Sequence, residues 1–147
     1  MLLKDLHGDT VANRLSEIDP EWVEKSDFMN VWIKPESLID VCKFLMSDKD
    51  LVMDYLNAIT AVDFIDHFDV IYQLTSTVTR KRIVVRSSLY GREELSIDSV
   101  TSLWSGANLQ EREIWDLMGI TFLGHPNMKR LLLWEGFEGH PLRKDFL

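Results

Sequence analysis

Apolar positions along this chain alternate between two periods, and each change of period marks an element. Val11, Arg14, Leu15 and Ile18 are helically spaced, which predicts a short, weakly amphipathic helix over 10–18 that Pro20 ends. The β-prone run Val31-Trp32-Ile33 predicts a first strand within 28–34. Pro35 suits the first turn of a helix and Glu36 suits its dipole. Leu38, Val41, Cys42, Leu45 and Met46 then recur at i, i+3, i+4, i+7 and i+8, a stripe that faces a core. Period two follows. Leu56, Ala58, Thr60 and Val62 share one face of a strand over 56–64, and Phe68, Val70, Tyr72 and Leu74 share one over 68–75. A further strand over 82–90 centres on Ile83-Val84-Val85. Short polar links, Asp66-His67 and 76–81, favour antiparallel pairing. Beyond them, Ser96 or Asp98 is placed to cap a helix carrying Val100, Leu103 and Trp104, which Ser105-Gly106-Ala107 breaks. Asn108 precedes Glu111 by three residues, the spacing of a capping box, and Gly119 is placed as a helix stop, giving a helix over 109–118.

The order α-β-α-β-β-β-α predicts an α+β fold. It is a two-layer sandwich with an antiparallel-rich mixed sheet, helices on one face and an extended, irregular C-terminal tail. The expected division is a globular body over 1–118 and a tail over 119–147. Ordered loops beyond about 12–15 residues are uncommon and usually functional. A tail rich in Leu, Trp and Phe calls for a covering surface, and a partner protein is the expected one. The tail also echoes itself: Phe122-x-Gly-His-Pro-x-x-Lys129 recurs as Phe137-x-Gly-His-Pro-x-x-Lys144. Each Pro favours an extended residue before it, so both copies are expected to run as ribbon.

Composition narrows the function classes. The net charge of −8 argues against nucleic acid, whose phosphates require a basic face. From Gly119 onward four basic and three acidic side chains give +1, leaving −9 on the body. No apolar run approaches the ~18–20 residues of a membrane span, and no basic-then-apolar leader is visible, so a soluble, cytoplasmic chain is expected. Cys42 is the single cysteine, which excludes an internal disulfide or a cysteine-ligated cluster on this chain; its helical neighbours predict burial.

Candidate chemistry is sparse. His7, His67, His125 and His140 lack metal-site spacing. Glu111, Arg112, Glu113 and Asp116 form the densest charge cluster, but Glu111 and Glu113, two apart on a helix, face different directions and cannot act as a carboxylate pair. A structural reading has Glu111 closing the capping box and Arg112 pairing with Asp116, worth ~0.2–0.5 kcal/mol if exposed. Trp134, Phe137 and Phe146 read as interface anchors, and Arg143 as the partner of a carboxylate on another protein. With His125, His140, Lys144 and Asp145 these residues form the expected partner-binding set. No catalytic, cofactor-binding or metal-binding residue is expected.

At these residues the sequence resembles a known family. Glu-Arg-Glu-x-x-Asp-Leu-Met from Glu111, then six residues, His125, three residues, Lys129 and a hydrophobic step is similar to the signature of the C-subunit, the thirty-kilodalton subunit of respiratory complex I (NADH:quinone oxidoreductase). Gly139-His-Pro-Leu-Arg-Lys-Asp-Phe146 looks like that family's terminal motif, and Ser99-Val-Thr-x-Leu-Trp104 followed by Ala107-Asn108 fits it too. The resemblance implies a scaffold subunit of the hydrophilic arm of a proton-translocating complex, peripheral on the cytoplasmic side of the cell membrane. It implies flavin, iron–sulfur clusters and quinone in partner subunits and none here. It also implies a tail running along the D-subunit of the same complex, near the quinone pocket. The chain departs from the family at Ser105, where a proline is typical, and lacks the longer extension of some members. Related hydrogenase-type and ferredoxin- or F420-linked complexes use homologous subunits and form the alternative, with a free-standing adaptor as a third reading.

Overall fold

A computed structural model describes residues 3–134 and 136–146 of the chain. In chain order the elements are β1 (Lys4–Asp5), α1 (Gly8–Ile18), β2 (Val23–Ser26), β3 (Val31–Ile33), a 3-10 turn (Pro35–Ser37), α2 (Leu38–Ser47), β4 (Tyr55–Asp63), β5 (His67–Thr75), β6 (Lys81–Tyr90), β7 (Ser96–Asp98), α3 (Ala107–Met118) and β8 (Thr121–Leu123). The main sheet has the order β2-β3-β6-β5-β4, with β1 also paired to β6. The β4–β5, β5–β6 and β2–β3 pairs are antiparallel, whereas β3 and β1 run parallel to β6. This is the expected α+β architecture with a mixed, antiparallel-rich sheet.

One face of the sheet builds the core. Val31 and Ile33, Phe68, Val70, Tyr72 and Leu74, and Ile83, Val85 and Leu89 are all buried there against Val11 and Leu15 of α1 and Leu38, Val41, Cys42 and Leu45 of α2. The α2 stripe is the one predicted from spacing. Burial pushes the Cys42 thiol up, so the residue behaves as a small apolar filler.

The facing of β4 departs from simple alternation. Leu56 opposes Leu74 but Ile59 opposes Tyr72, so β4 spends one extra residue at Asn57. That bulge moves Ile59 and Ala61 onto the core face and leaves Thr60 and Val62 outward, where the pattern 56, 58, 60, 62 had placed them together. A second departure lies at 96–104. Ser96–Asp98 is not a helix cap but a strand, parallel to β8, and Val100–Trp104 is a turn rather than a helix. The cause is Glu111, which takes the Val100 N–H and so satisfies this backbone from α3. Val100 and Trp104 are still buried, as their apolar character demands.

Strand β4 is the edge of the sheet, and α3 packs beside it. There the Ile59 N–H, which lacks a strand partner, donates to the Gln110 side-chain oxygen at 2.6 Å. Replacing Gln110 with Ala should therefore cost about 1–2 kcal/mol, read as a lowered urea midpoint at constant slope, because a buried amide loses its only acceptor. Leu109→Ala, at an exposed neighbouring position, should stay within about 0.5 kcal/mol of the parent.

Candidate functional site

Two carboxylates on α3 are fully buried, Glu111 and Asp116, each at 0% exposure. Glu111 lies on the core side of the helix. Its carboxylate accepts the Ser99 hydroxyl at 2.6 Å and the Val100 N–H at 2.8 Å. It does not cap the helix: Gly106 occupies the cap position and no side chain there accepts from the first-turn N–H groups. Burial pushes the Glu111 carboxyl up, against the opposing pull of Ser99, Val100 and the nearby His125. Its work is to staple the β7–α3 connection to the helix.

Asp116 sits one turn from the helix C-terminus, where a negative charge opposes the macrodipole. The C-terminal segment surrounds it. The Leu131, Leu132 and Leu133 N–H groups converge on one oxygen at 3.1, 2.7 and 3.0 Å, while the Arg130 guanidinium donates to the other at 2.8 Å. Desolvation raises the Asp116 carboxyl, but Arg130 and the three amides outweigh it, and the group stays below the usual carboxylate range. Arg130 further donates to the Asp116 and Phe137 carbonyls at 2.7 Å each and lies over Trp115, 5.2 Å from its ring centre. The pairing expected within the helix, Arg112 with Asp116, does not form. Arg112 instead donates to the Lys129 and Arg130 carbonyls.

Past this nest the chain meets the far end of the sheet. Arg143 donates to the Met118 and Arg92 carbonyls and lies over Phe68, 5.1 Å from its ring centre. Asp63, at the end of β4, accepts a forked pair from Arg92 and the Lys144 N–H. The same carboxylate takes the N–H of Ile65, whose φ of 79° is unusual for a β-branched residue. Arg92 first, then Lys144 and Ile65, hold the Asp63 carboxyl far below its ordinary range. Arg92 also reaches Asp145, 3.0 Å away. Gly119 closes α3 at φ +79°, and a Cβ there would lie 2.7 Å from His140 and 2.9 Å from Arg143. The whole arrangement is a clasp that holds the C-terminal segment against α3 and the end of the β4–β5 hairpin.

The chain matches, over residues 31–147, the family described as "Respiratory-chain NADH dehydrogenase, 30 Kd subunit". The chain belongs to that family. It is 38% identical over 147 residues to the NADH-quinone oxidoreductase C-subunit of Roseiflexus sp. (strain RS-1), covering 95% of this chain and 84% of that one. It is also 38% identical over 134 residues to the mitochondrial NADH-ubiquinone oxidoreductase 30.4 kDa subunit of Neurospora crassa, covering 86% of this chain and 47% of that longer one. The fold is shared with a chain in the structure of the membrane-bound sulfane sulfur reductase, an archaeal respiratory membrane complex. That match has a TM-score of 0.78 at 19% identity and covers 95% of this chain and 85% of the other.

Against that membership, the motif residues of this 30 kDa-family chain divide in two. The clasp absorbs Arg112, Asp116, His125, His140 and Arg143, and the β7–α3 staple absorbs Glu111, so Arg143, expected to meet a carboxylate on another protein, is spent on the chain's own carbonyls. The His-Pro echo has a shared purpose. His125 donates from Nε2 to the Asn108 carbonyl at the start of α3, and His140 from Nδ1 to the Asp116 carbonyl near its end. The two copies bracket one helix, each after a left-handed glycine, Gly124 and Gly139. Neither copy is a continuous ribbon: the first leaves β8 through a turn closed by the His125 N–H to the Phe122 carbonyl, and the second turns where the Arg143 N–H meets the His140 carbonyl.

Other site residues stay open to solvent. Glu113 and Lys144 are exposed, Trp134 is 69% exposed, and Asp145 shares Arg92 from the surface. Phe137 is half-buried, stacked on Phe146 at 6.2 Å. Ile120 and Phe122 lie in the core, so the chain leaves its body only after Leu123. Sequence reasoning missed Asp63, Arg92 and Arg130, and gave Ser99 no role beyond its place in a motif. Nothing local marks them, since each acts on a residue remote in sequence. Among the described residues no three or more His, Cys, Asp or Glu side chains gather as a metal site, and no helix is long and apolar enough to cross a membrane.

Two outcomes test the clasp. Asp116→Ala removes the acceptor of three part-buried amides and strands the Arg130 charge. It should lower stability by about 3–5 kcal/mol and expose Lys129 and Arg130 to trypsin well before the body is cut. Acidification should loosen the same segment reversibly. Asp63 and Asp116 both have folded pKa values below their unfolded ones. Their stabilisation is therefore present above the unfolded value of about 4 and is lost as pH falls through the folded values. Glu111 runs oppositely: its raised pKa favours the fold below about 4.5, and that part is lost as pH climbs through the folded value. Hydrogen exchange reads the outcome: below pH 4 the Leu131, Leu132 and Leu133 amides should lose protection before those of β5 and β6.

Proposed function

We propose that this chain is a non-catalytic scaffold subunit in the hydrophilic arm of a proton-translocating NADH:quinone oxidoreductase. It sits peripherally on the cytoplasmic side of the cell membrane, membrane-associated only through the complex, and organises the D-subunit homologue around the quinone site. Flavin, iron–sulfur clusters and quinone belong to the partner subunits and electron transfer passes outside this chain. The observation that carries the reading is the fate of the motif. Glu111 and Asp116 are fully buried and, with Arg112 and Arg143, consumed by internal hydrogen bonds, which suits holding a shape better than acid–base catalysis.

What the clasp leaves outside is apolar. Leu132, Trp134 and Leu142 are each about 60% exposed or more, on a segment fixed by Asp116 and Leu117. Large aromatic and aliphatic side chains on a fixed backbone are suited to dock on another subunit. A second reading, a subunit of a related membrane complex with a different electron donor, draws support from the fold shared with the archaeal sulfane sulfur reductase chain.

Affinity recovery of a tagged chain from gently solubilised host membranes tests both. Recovery of a D-subunit homologue with a flavin-bearing NADH module is the expected result. Recovery beside a chain with nickel–iron ligands moves the assignment to the related complexes, and recovery of the chain alone overturns the scaffold reading. Trp134→Asp should cut co-recovery by about 30-fold, the effect of losing a hot spot worth ~2 kcal/mol, with the Tm of the isolated chain moved by less than about 2 °C.

A further inference from the structure

The sheet face away from the helices carries a chemistry that the scaffold reading leaves unused. Strand register lines up Lys25 with Trp32, Trp32 with Arg86, and Arg86 with Ile71, a single row across β2, β3, β6 and β5. In the adjoining rows Ser88 pairs with Asp69, and Tyr90 with His67. Asp69 is only 3% exposed. Its carboxylate accepts the Trp32 ring N–H at 3.1 Å and the Ser88 hydroxyl at 2.5 Å, with His67 Nε2 at 3.4 Å and Arg86 Nε at 3.2 Å.

This network holds Arg86 beside Asp69 and leaves its side chain partly exposed, at 17%. The buried Nε lies beside Asp69 but makes no properly directed hydrogen bond, and the Nη groups make none among the described residues. The guanidinium carbon is 5.3 Å from the centre of the Trp32 ring, and the Lys25 ammonium is 4.7 Å from it. Two cations thus share one indole while Asp69 balances a single charge. Asp27, the other carboxylate that feels Arg86, commits one oxygen to the Met29 and Asn30 N–H groups of its own turn. A planar donor fork beside an ammonium matches the two oxygens of a carboxylate.

We propose that the Lys25–Trp32–Arg86 row is a docking site for an Asp or Glu side chain of a partner protein. The surroundings favour a protein over a lipid surface. Phe64 and Tyr90, 43% and 66% exposed, flank His67 in an aromatic ladder on the same face, with ring centres 5.0 and 5.1 Å from it. Arg, Trp and Tyr together form the usual centre of a protein contact. A body of net charge −9 is repelled by an anionic membrane, whereas a single carboxylate needs only the local cations. The site rests on the assembly reading and adds a second contact surface, on the sheet instead of the C-terminal segment.

Carbodiimide cross-linking of the purified complex tests it, because this reagent joins an amine directly to a carboxylate in contact. The expected product joins Lys25 to an Asp or Glu of one co-purifying subunit. Lys25→Glu should abolish that product and reduce co-recovery of the same subunit by ~10-fold, with the Tm of the isolated chain unchanged within about 2 °C. Arg86→Gln should reduce co-recovery similarly; Lys25→Glu, at an exposed position, decides the matter if Arg86→Gln fails to fold. The proposal is overturned if Lys25 cross-links only within its own chain and both variants recover partners like the parent. It is also overturned if the parent chain floats with phosphatidylglycerol vesicles and Lys25→Glu does not, which would assign the row to lipid phosphate. A parent chain recovered without partners defeats the assembly reading itself, whereas partners recovered equally by parent and Lys25→Glu defeat only this site.

Discussion

A carboxylate buried without partners is among the most costly things a fold can contain, and Asp116 would be one if the C-terminal segment were elsewhere. Its place in the last turn of α3 makes matters worse, since the free carbonyls there already carry partial negative charge. Three successive amides and the Arg130 guanidinium reverse the balance. The consequence spreads outward. With Leu131–Leu133 pinned, Arg130 reaches the Phe137 carbonyl, His140 returns to the helix end, and Arg143 bridges the Met118 and Arg92 carbonyls. One buried charge thus determines the course of a segment with almost no regular structure.

Asp63 does the same at the other end of the clasp, and Asp69 does it on the opposite face of the sheet. Each buried acid gathers an arginine: Arg130, Arg92 and Arg86 respectively. The three differ in what the arginine has left over. Arg130 and Arg92 continue to backbone carbonyls of the same chain, so their donors are consumed. Arg86 does not, and its Nη donors have no hydrogen-bond partner among the described residues. That difference separates a fastening from a surface that can receive something.

Long periodic elements were legible from sequence, because a period needs length to declare itself. The α2 stripe, the three long strands and the glycine stop of α3 all appear where the spacing put them. Strands β1, β2 and β8, of two to four residues, carry no readable period. The β4 bulge at Asn57 inverted an alternation that looked regular. At the site, residue types were legible but partners were not. Glu111 and Asn108 have capping-box spacing, yet Glu111 turns inward to Ser99, because a tertiary acceptor for the Val100 N–H outweighs a local cap. Arg112 and Asp116 have ideal helical spacing, yet both bond to the C-terminal segment. The Lys144 N–H and Asp63 are 81 residues apart, a separation over which no local pattern acts.

The clasp also changes how the apolar C-terminal segment should be regarded. A free segment of this length would lose about 1–2 kcal/mol of backbone entropy per residue on becoming ordered against another subunit. Here that ordering is achieved within the folded chain, by Asp116, Asp63 and the two bracketing histidines. Trp134 and Leu142 are then presented on a backbone already fixed, so more of their burial energy would be available to the contact proposed for them. Gly119 shows how tightly this is built. Its left-handed conformation ends α3, and its missing side chain admits His140 and Arg143 at distances no Cβ would allow. A single residue ends the helix and seats the segment that returns to it, which ties the shape of that exposed apolar surface to the stability of the body.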